Sequence, residues 1–203
     1  MNKDKKSLID LDIFKKYNVK WILSISIWTF ALAIGVSLIS ENILRNLDIL
    51  MAVISLIGII IIGVVFDIIG ISVAVSDEKI FHSMAANNIK EAKYAIKLVR
   101  NAGQVSNFCN DVIGDICGII SGSAGAIIVL RLINQYGFKE GTFVSIVMTG
   151  IIASLTVGGK AIGKEIAIYN SEKIIFRVSK IFMFLHTKLG IRVLPSLKKK
   201  KKK

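Results

Sequence analysis

Four long uncharged or nearly uncharged stretches set the pattern of this chain. They cover Trp21–Ser40, Ile49–Ser76, 105–134 and Gly141–Gly159. A helix needs about 20 apolar residues to cross a bilayer, and each stretch comes close to or exceeds that length. Between the second and third the pattern changes. From residue 77 to 103, apolar Ile80, Phe81, Met84, Ile89, Ala92, Ile96 and Val99 recur at helical spacing with lysines opposite. Asp77 suits an N-cap, Asn87-Asn88 divides the segment, and Asn101-Ala102-Gly103 supplies a stop. After the fourth stretch, Lys173, Arg177, Lys180 and Lys188 form a basic stripe on an otherwise Ile-, Phe-, Met- and Leu-rich helix.

These elements predict an all-α, polytopic membrane protein. Residues 1–20 form a basic cytosolic tail. Residues 21–190 form a helical transmembrane domain with spans at 21–40, 49–76, 105–134 and 141–160. A juxtamembrane helical hairpin at 77–103 and an amphipathic helix at 170–190 lie on its inner face. Residues 191–203 are a disordered polybasic tail ending in six lysines. No cleavable signal peptide is expected, because a polar stretch comes first. Lysine and arginine fix the orientation: 24 fall on the side of the termini, against one and two in the opposite loops. Both termini are therefore expected in the cytoplasm of a plasma-membrane protein.

Composition agrees with that class. Hydrophobic residues make up 53% of 203, with a single proline. The net charge of +13 suits the anionic lipids of a bilayer better than nucleic acid, given the spans. Cys109 and Cys117 are eight apart on one helix, too far for a disulfide between them. His82 and His186 are isolated and read as neither ligand nor base.

The candidate chemistry lies in the spans. Asp67 interrupts an apolar run that resumes to Val75, and a charge there is costly unless it is answered. Asp67 lies 18 residues after Ile49, Asp115 19 before Asn134, and Lys160 19 after Gly141. At 1.5 Å per residue all three sit about 27–29 Å from the outer ends. They form one buried charge cluster, or each is an interfacial charge with Lys160 snorkelling to water. Gly58, Gly63, Gly70, Gly114, Gly118 and Gly122 read first as packing positions. Gly114, beside Asp115, is the one placed to offer a carbonyl to an ion.

The order of elements carries a resemblance. Phe66-Asp67-Ile68-Ile69-Gly70-Ile71-Ser72-Val73-Ala74 ends a span and leads into a basic hairpin. Gly114-Asp115 lies in the next span. Gly159-Lys160-Ala161-Ile162-Gly163-Lys164-Glu165-Ile166-Ala167 follows the last, continued by Tyr169-Asn170-Ser171-Glu172-Lys173. Over roughly residues 50–190 this resembles the transmembrane domain of the CNNM/CorC family of magnesium transporters, with the first span an addition. The resemblance implies a dehydrated Mg²⁺ held between three helices, and a homodimer. Carried over by position, the family's ligand serines fall at Asp67 and Ile69, its asparagine at or next to Asp115, its glutamate at Lys160, and its following proline and lysine at Gly163 and Lys164. Every principal ligand has changed. Relatives carry CBS domains after this region, and no such module is expected in the residues from 191 to 203.

Two states of such a site stay open. In one, Asp67, Asp115, Ser72 and the Gly114 carbonyl, with Ser121 and Thr156 nearby, hold a divalent cation through oxygen. In the other, the Lys160 ammonium stands where the ion would be. The expected function is thus that of a relative of divalent-cation transporters with an altered ion site. The alternative is an accessory membrane protein that associates through glycine-rich helix faces. An intramembrane aspartyl protease using Asp67 and Asp115 is disfavoured, since a lysine at their depth would hold both carboxylates ionised. With no phosphate loop, zinc cluster or nucleophile–base pair in the sequence, no enzyme is expected.

Overall fold

The computed structural model describes residues 19–137 and 141–189. The described chain is helical throughout, without strands. The expected basic tail before residue 19 and the polybasic tail after residue 190 lie outside the described residues. Contacts divide the protein into two units, residues 1–43 and 44–203. The first is described through helix α1 (Val19–Asn46), whose exposed side chains include Trp28, Phe30 and Leu38.

The second unit holds everything else. Helix α2 runs from Ile49 to Val75, between extended residues Asp48 and Ser76. Twenty-seven residues without proline and with one charge give it no internal reason to break. Asp77 then caps α3 (Glu78–Ala86), its carboxylate accepting the Lys79 N–H at 3.0 Å. Helix α3 stops at Asn87, and Asn88 takes the left-handed conformation (φ 61°) that asparagine tolerates better than most residues. Helices α4 (Ala92–Arg100) and α5 (Ala102–Asn107) follow, separated by Asn101. A π-helical turn, Phe108–Ile113, joins α5 to α6 (Gly114–Tyr136). Gly137 ends α6 at φ 64°, a left-handed C-terminal stop. Helix α7 (Gly141–Tyr169) and α8 (Ser171–Leu189) are separated by Asn170 alone.

Helices α1, α2, α5–α6 and α7 are each long and apolar enough to cross a membrane. Helix α7 does not stop at Lys160: it continues to Tyr169, because residues 160–169 contain no breaker stronger than Gly163. Within the second unit α2 is the central rod. It packs on α6, on α7, on α5 with its π turn, and on α8. One apolar cluster joins Leu56 and Ile60 of α2 to Ala124 and Ile128 of α6 and Ile152 of α7. Another joins Val73 of α2 to Phe81 of α3, Leu98 of α4, and Ile175 and Val178 of α8. The charged stretch of α2 lies between the two.

Helix approach depends on glycine at particular points. A Cβ on Gly63 would lie 2.9 Å from Cys117 Cβ, and one on Gly163 would lie 2.9 Å from Ile68. Bare α-carbons there let α6 and α7 close on α2, as small residues do in membrane bundles. A Cβ on Gly58, Gly118 or Gly122 would meet nothing within 4 Å among the described residues.

Candidate functional site

Helix α2 brings Asp67 to the seam where the π turn, α6 and α7 meet it. The residue is half-buried, as is Lys160 of α7. Both side chains turn toward Gly114, the first residue of α6. An atom at the Cβ position of Gly114 would lie 3.6 Å from Lys160 Nζ and 3.9 Å from Asp67 Oδ1. Both groups thus stand at ordinary van der Waals distance from the same point beside Gly114. Lys160 is the foremost charge within reach of Asp67, followed by Asp115, Asp111 and Lys164. Among the described residues, the ammonium makes no ion pair as close as 4.0 Å. Lys160 thus points into the bundle and does not snorkel away from it.

The other expected site residues fall differently. Asp115 is exposed, one position past the buried Gly114, and Asp111 is exposed beside it. The Gly114 carbonyl points toward Gly63, 4.0 Å from where a Cβ there would stand. Ser72 is buried, and its hydroxyl donates to the Ala167 carbonyl of α7 at 3.5 Å. Ser121 donates to Gly118 O at 2.8 Å and Thr156 to Ile152 O at 2.8 Å. Each of these hydroxyls is therefore engaged with backbone. No group of three or more His, Cys, Asp or Glu side chains able to hold a metal forms among the described residues.

One polar group at the seam escaped the sequence reading. Asn110, in the π turn, has a buried Oδ1 without a hydrogen-bond partner among the described residues. It presses on Gly70 of α2, where any Cβ would overlap its carboxamide. The Gly114 N–H bonds to the Cys109 carbonyl, five residues back, which is the bond that defines the π turn. The extra residue re-aims Asn110 and keeps Cys109, Val112 and Ile116 buried. The only sequence signal was a polar Asn110-Asp111 pair near the start of a span.

A second polar cluster ties the hairpin together away from the spans. Arg100 Nε of α4 donates to Glu78 Oε1 of α3, and His82 Nε2 meets the same oxygen at 2.7 Å. Burial pulls the Glu78 carboxyl upward, but the bonds from His82 and Arg100 and the Arg100 charge outweigh it. The carboxyl therefore sits below the usual glutamate range. On α8, His186 Nδ1 lies 2.7 Å from Tyr94 OH of α4, which fastens the end of α8 to the hairpin.

These observations define a class: a helical protein with four helices long and apolar enough to cross a membrane, and one carboxylate and one ammonium turned toward the same glycine between three of its helices. Within that class comparison gives no nearer identity, since no family model, no curated protein and no solved structure matches the chain.

Proposed function

We propose that this is an integral membrane protein of the divalent-cation transporter type, with its ion position taken by the Lys160 ammonium. The observation that carries the reading is the convergence of Lys160 Nζ and Asp67 Oδ1 on Gly114. A cation held between α2, α6 and α7 needs oxygen ligands and tolerates no ammonium among them. Lys160 neutralises Asp67 in place, and a divalent cation enters only when the lysine leaves. The resemblance to the CNNM/CorC transmembrane domain, carried by the residues quoted above, supplies the cation class, Mg²⁺.

In this reading α3, α4 and α8 lie at the cytosolic face of the plasma membrane, with both termini in the cytoplasm. The basic stripe of α8 and the lysine-rich tails meet anionic lipid there. A homodimer fits the same proposal, as does the alternative role of an accessory subunit: Gly118 and Gly122 of α6 leave open space that another helix could enter.

The test is thermal unfolding of the detergent-purified protein with and without millimolar Mg²⁺. The wild type is expected to show no shift. Lys160→Met is expected to gain a Mg²⁺-dependent rise in Tm, which Asp67→Asn then removes. A rise in the wild type that Asp67→Asn abolishes would show instead that the cation and the lysine coexist.

A further inference from the structure

A cavity of about 350 Å³ opens between α2, α5 with its π turn, and α8. Phe66 and Ile69 of α2 and Val178 and Phe182 of α8 supply apolar walls. Leu98 and Cys109 in the lining are buried, whereas Gln104 and Phe108 are exposed, so the opening is on the α5 side. Interiors are packed to crystal density, and an empty void of this size forfeits the contacts of its whole lining. Water is a poor filler, because a wall this apolar offers too few hydrogen bonds to hold it. The volume lies within the range of small-molecule sites.

Two features of the lining choose the occupant. The first is where its polar groups lie. Among the described residues that line it, only Asn101 and Gln104 carry nitrogen or oxygen in their side chains. Both belong to the start of α5, where the Gln104 N–H donates to the Asn101 carbonyl at 3.0 Å. Asn101 Nδ2 donates to the Lys97 carbonyl at 2.8 Å, which leaves its Oδ1 to accept from a ligand. The second feature is charge, for none of these lining residues carries any. The cations of α8 are turned elsewhere: Lys180 holds its ammonium 4.9 Å from the centre of the Phe176 ring, and Arg177 is exposed and outside the lining. An ionised head would enter without a counter-charge, at high cost, whereas a hydroxyl is answered by the two amides. We propose that this cavity binds an uncharged amphiphile of the monoacylglycerol class. Its hydroxyl-bearing head lies at Asn101 and Gln104, and its hydrocarbon chain lies between α2 and α8. The proposal rests on the lining alone and not on the ion reading, so either can fail by itself.

Cys109 lines the cavity and reports on it. In the full chain carrying Cys117→Ser, Cys109 is the one remaining thiol. The protein is held in nanodiscs of dioleoyl phosphatidylcholine, because common detergents are themselves uncharged amphiphiles. It is treated with N-ethylmaleimide while monooleoyl glycerol is titrated in. Alkylation of Cys109 is expected to slow about tenfold once the glyceride exceeds its Kd about tenfold. Oleoyl lysophosphatidic acid, the same molecule with a phosphate on its head, should protect far less at the same concentration. Gln104→Leu, at an exposed position, should weaken the glyceride about fivefold by removing one hydrogen bond to its head. Val105→Trp, which fills the cavity from α5, makes the rate independent of added glyceride, with folding checked by circular dichroism. An alkylation rate that ignores monooleoyl glycerol overturns the proposal, as does equal protection by the phosphate. Failure of the reagent to reach Cys109 in the absence of glyceride overturns it too, since the cavity would then be closed. The titration on unaltered cavity walls decides this even if Val105→Trp fails to fold.

Discussion

Two apolar clusters hold the second unit together, and in the membrane placement proposed above they face different solvents. The outer one joins Leu56, Ile60, Ala124, Ile128 and Ile152 within the span helices. The inner one joins Val73, Phe81, Leu98, Ile175 and Val178 where the hairpin and α8 cover the end of α2. Both consist of aliphatic and aromatic side chains. In lipid the outer cluster gains little from leaving solvent, because the tails outside are as apolar as leucine; it depends on close contact and on bare α-carbons. In that placement the inner cluster borders water and has the ordinary hydrophobic drive. At the seam neither rule suffices: Asp67 and Lys160 turn toward the same glycine, and the Asn110 carboxamide is pressed against Gly70.

The largest expected effect comes from the inner cluster. Phe81, fully buried, should cost about 3–5 kcal/mol when replaced by alanine. Ile128→Ala, at an almost equally buried position of the outer cluster, should cost roughly half as much as Phe81→Ala in a bilayer mimetic, since only packing is lost. Reversible unfolding in bicelles compares the two, and equal losses would erase the distinction.

Next come the glycines. Gly70→Ala drives a methyl into Asn110 and should cost about 1–3 kcal/mol by forcing α2 from the π turn. Gly118→Ala meets open space and should be neutral or stabilising by up to about 1 kcal/mol through helix propensity. If both are neutral in the same assay, α2 and the π turn are not in close contact.

The smallest effect concerns Glu78. Its folded-state carboxyl is held below the ordinary value of 4.5, so its stabilisation is present above that pH and is lost as pH falls through the lower folded value. The pair is largely solvent-screened, so Glu78→Gln should cost about 0.5 kcal/mol at neutral pH. The wild-type and variant stabilities should then converge in acid. A gap that persists below pH 4.5 and deepens would show that the cost is packing and not charge.

Much of this was legible in the sequence for identifiable reasons. Long uncharged stretches marked the spans because a bilayer tolerates little else. Asp77 and Asn87-Asn88 marked the ends of α3 because capping and left-handed backbone demand those residue types. Counting residues at a fixed rise put Asp67, Asp115 and Lys160 at one depth, and of these Asp67 and Lys160 turn toward Gly114. Asp115 shows where the method stops. The same depth count brought it level with the pair, but depth says nothing of facing, and the residue is exposed on α6. Asn110 was invisible because the π turn adds a residue to the 3.6-residue period from which helix faces were read. Ser72 looked like a ligand on residue type alone, yet its hydroxyl turns to Ala167, a contact 95 residues away in the chain.

The central claim is that Lys160 and Asp67 answer one another across the seam. A double-mutant cycle tests it most directly: stabilities of the wild type, Asp67→Asn, Lys160→Met and the double variant, by reversible unfolding in bicelles without divalent cations. The account predicts that each single change is destabilising and that the double variant recovers about 1–2 kcal/mol relative to their sum. Strict additivity would contradict it, leaving the two charges as neighbours that do not interact.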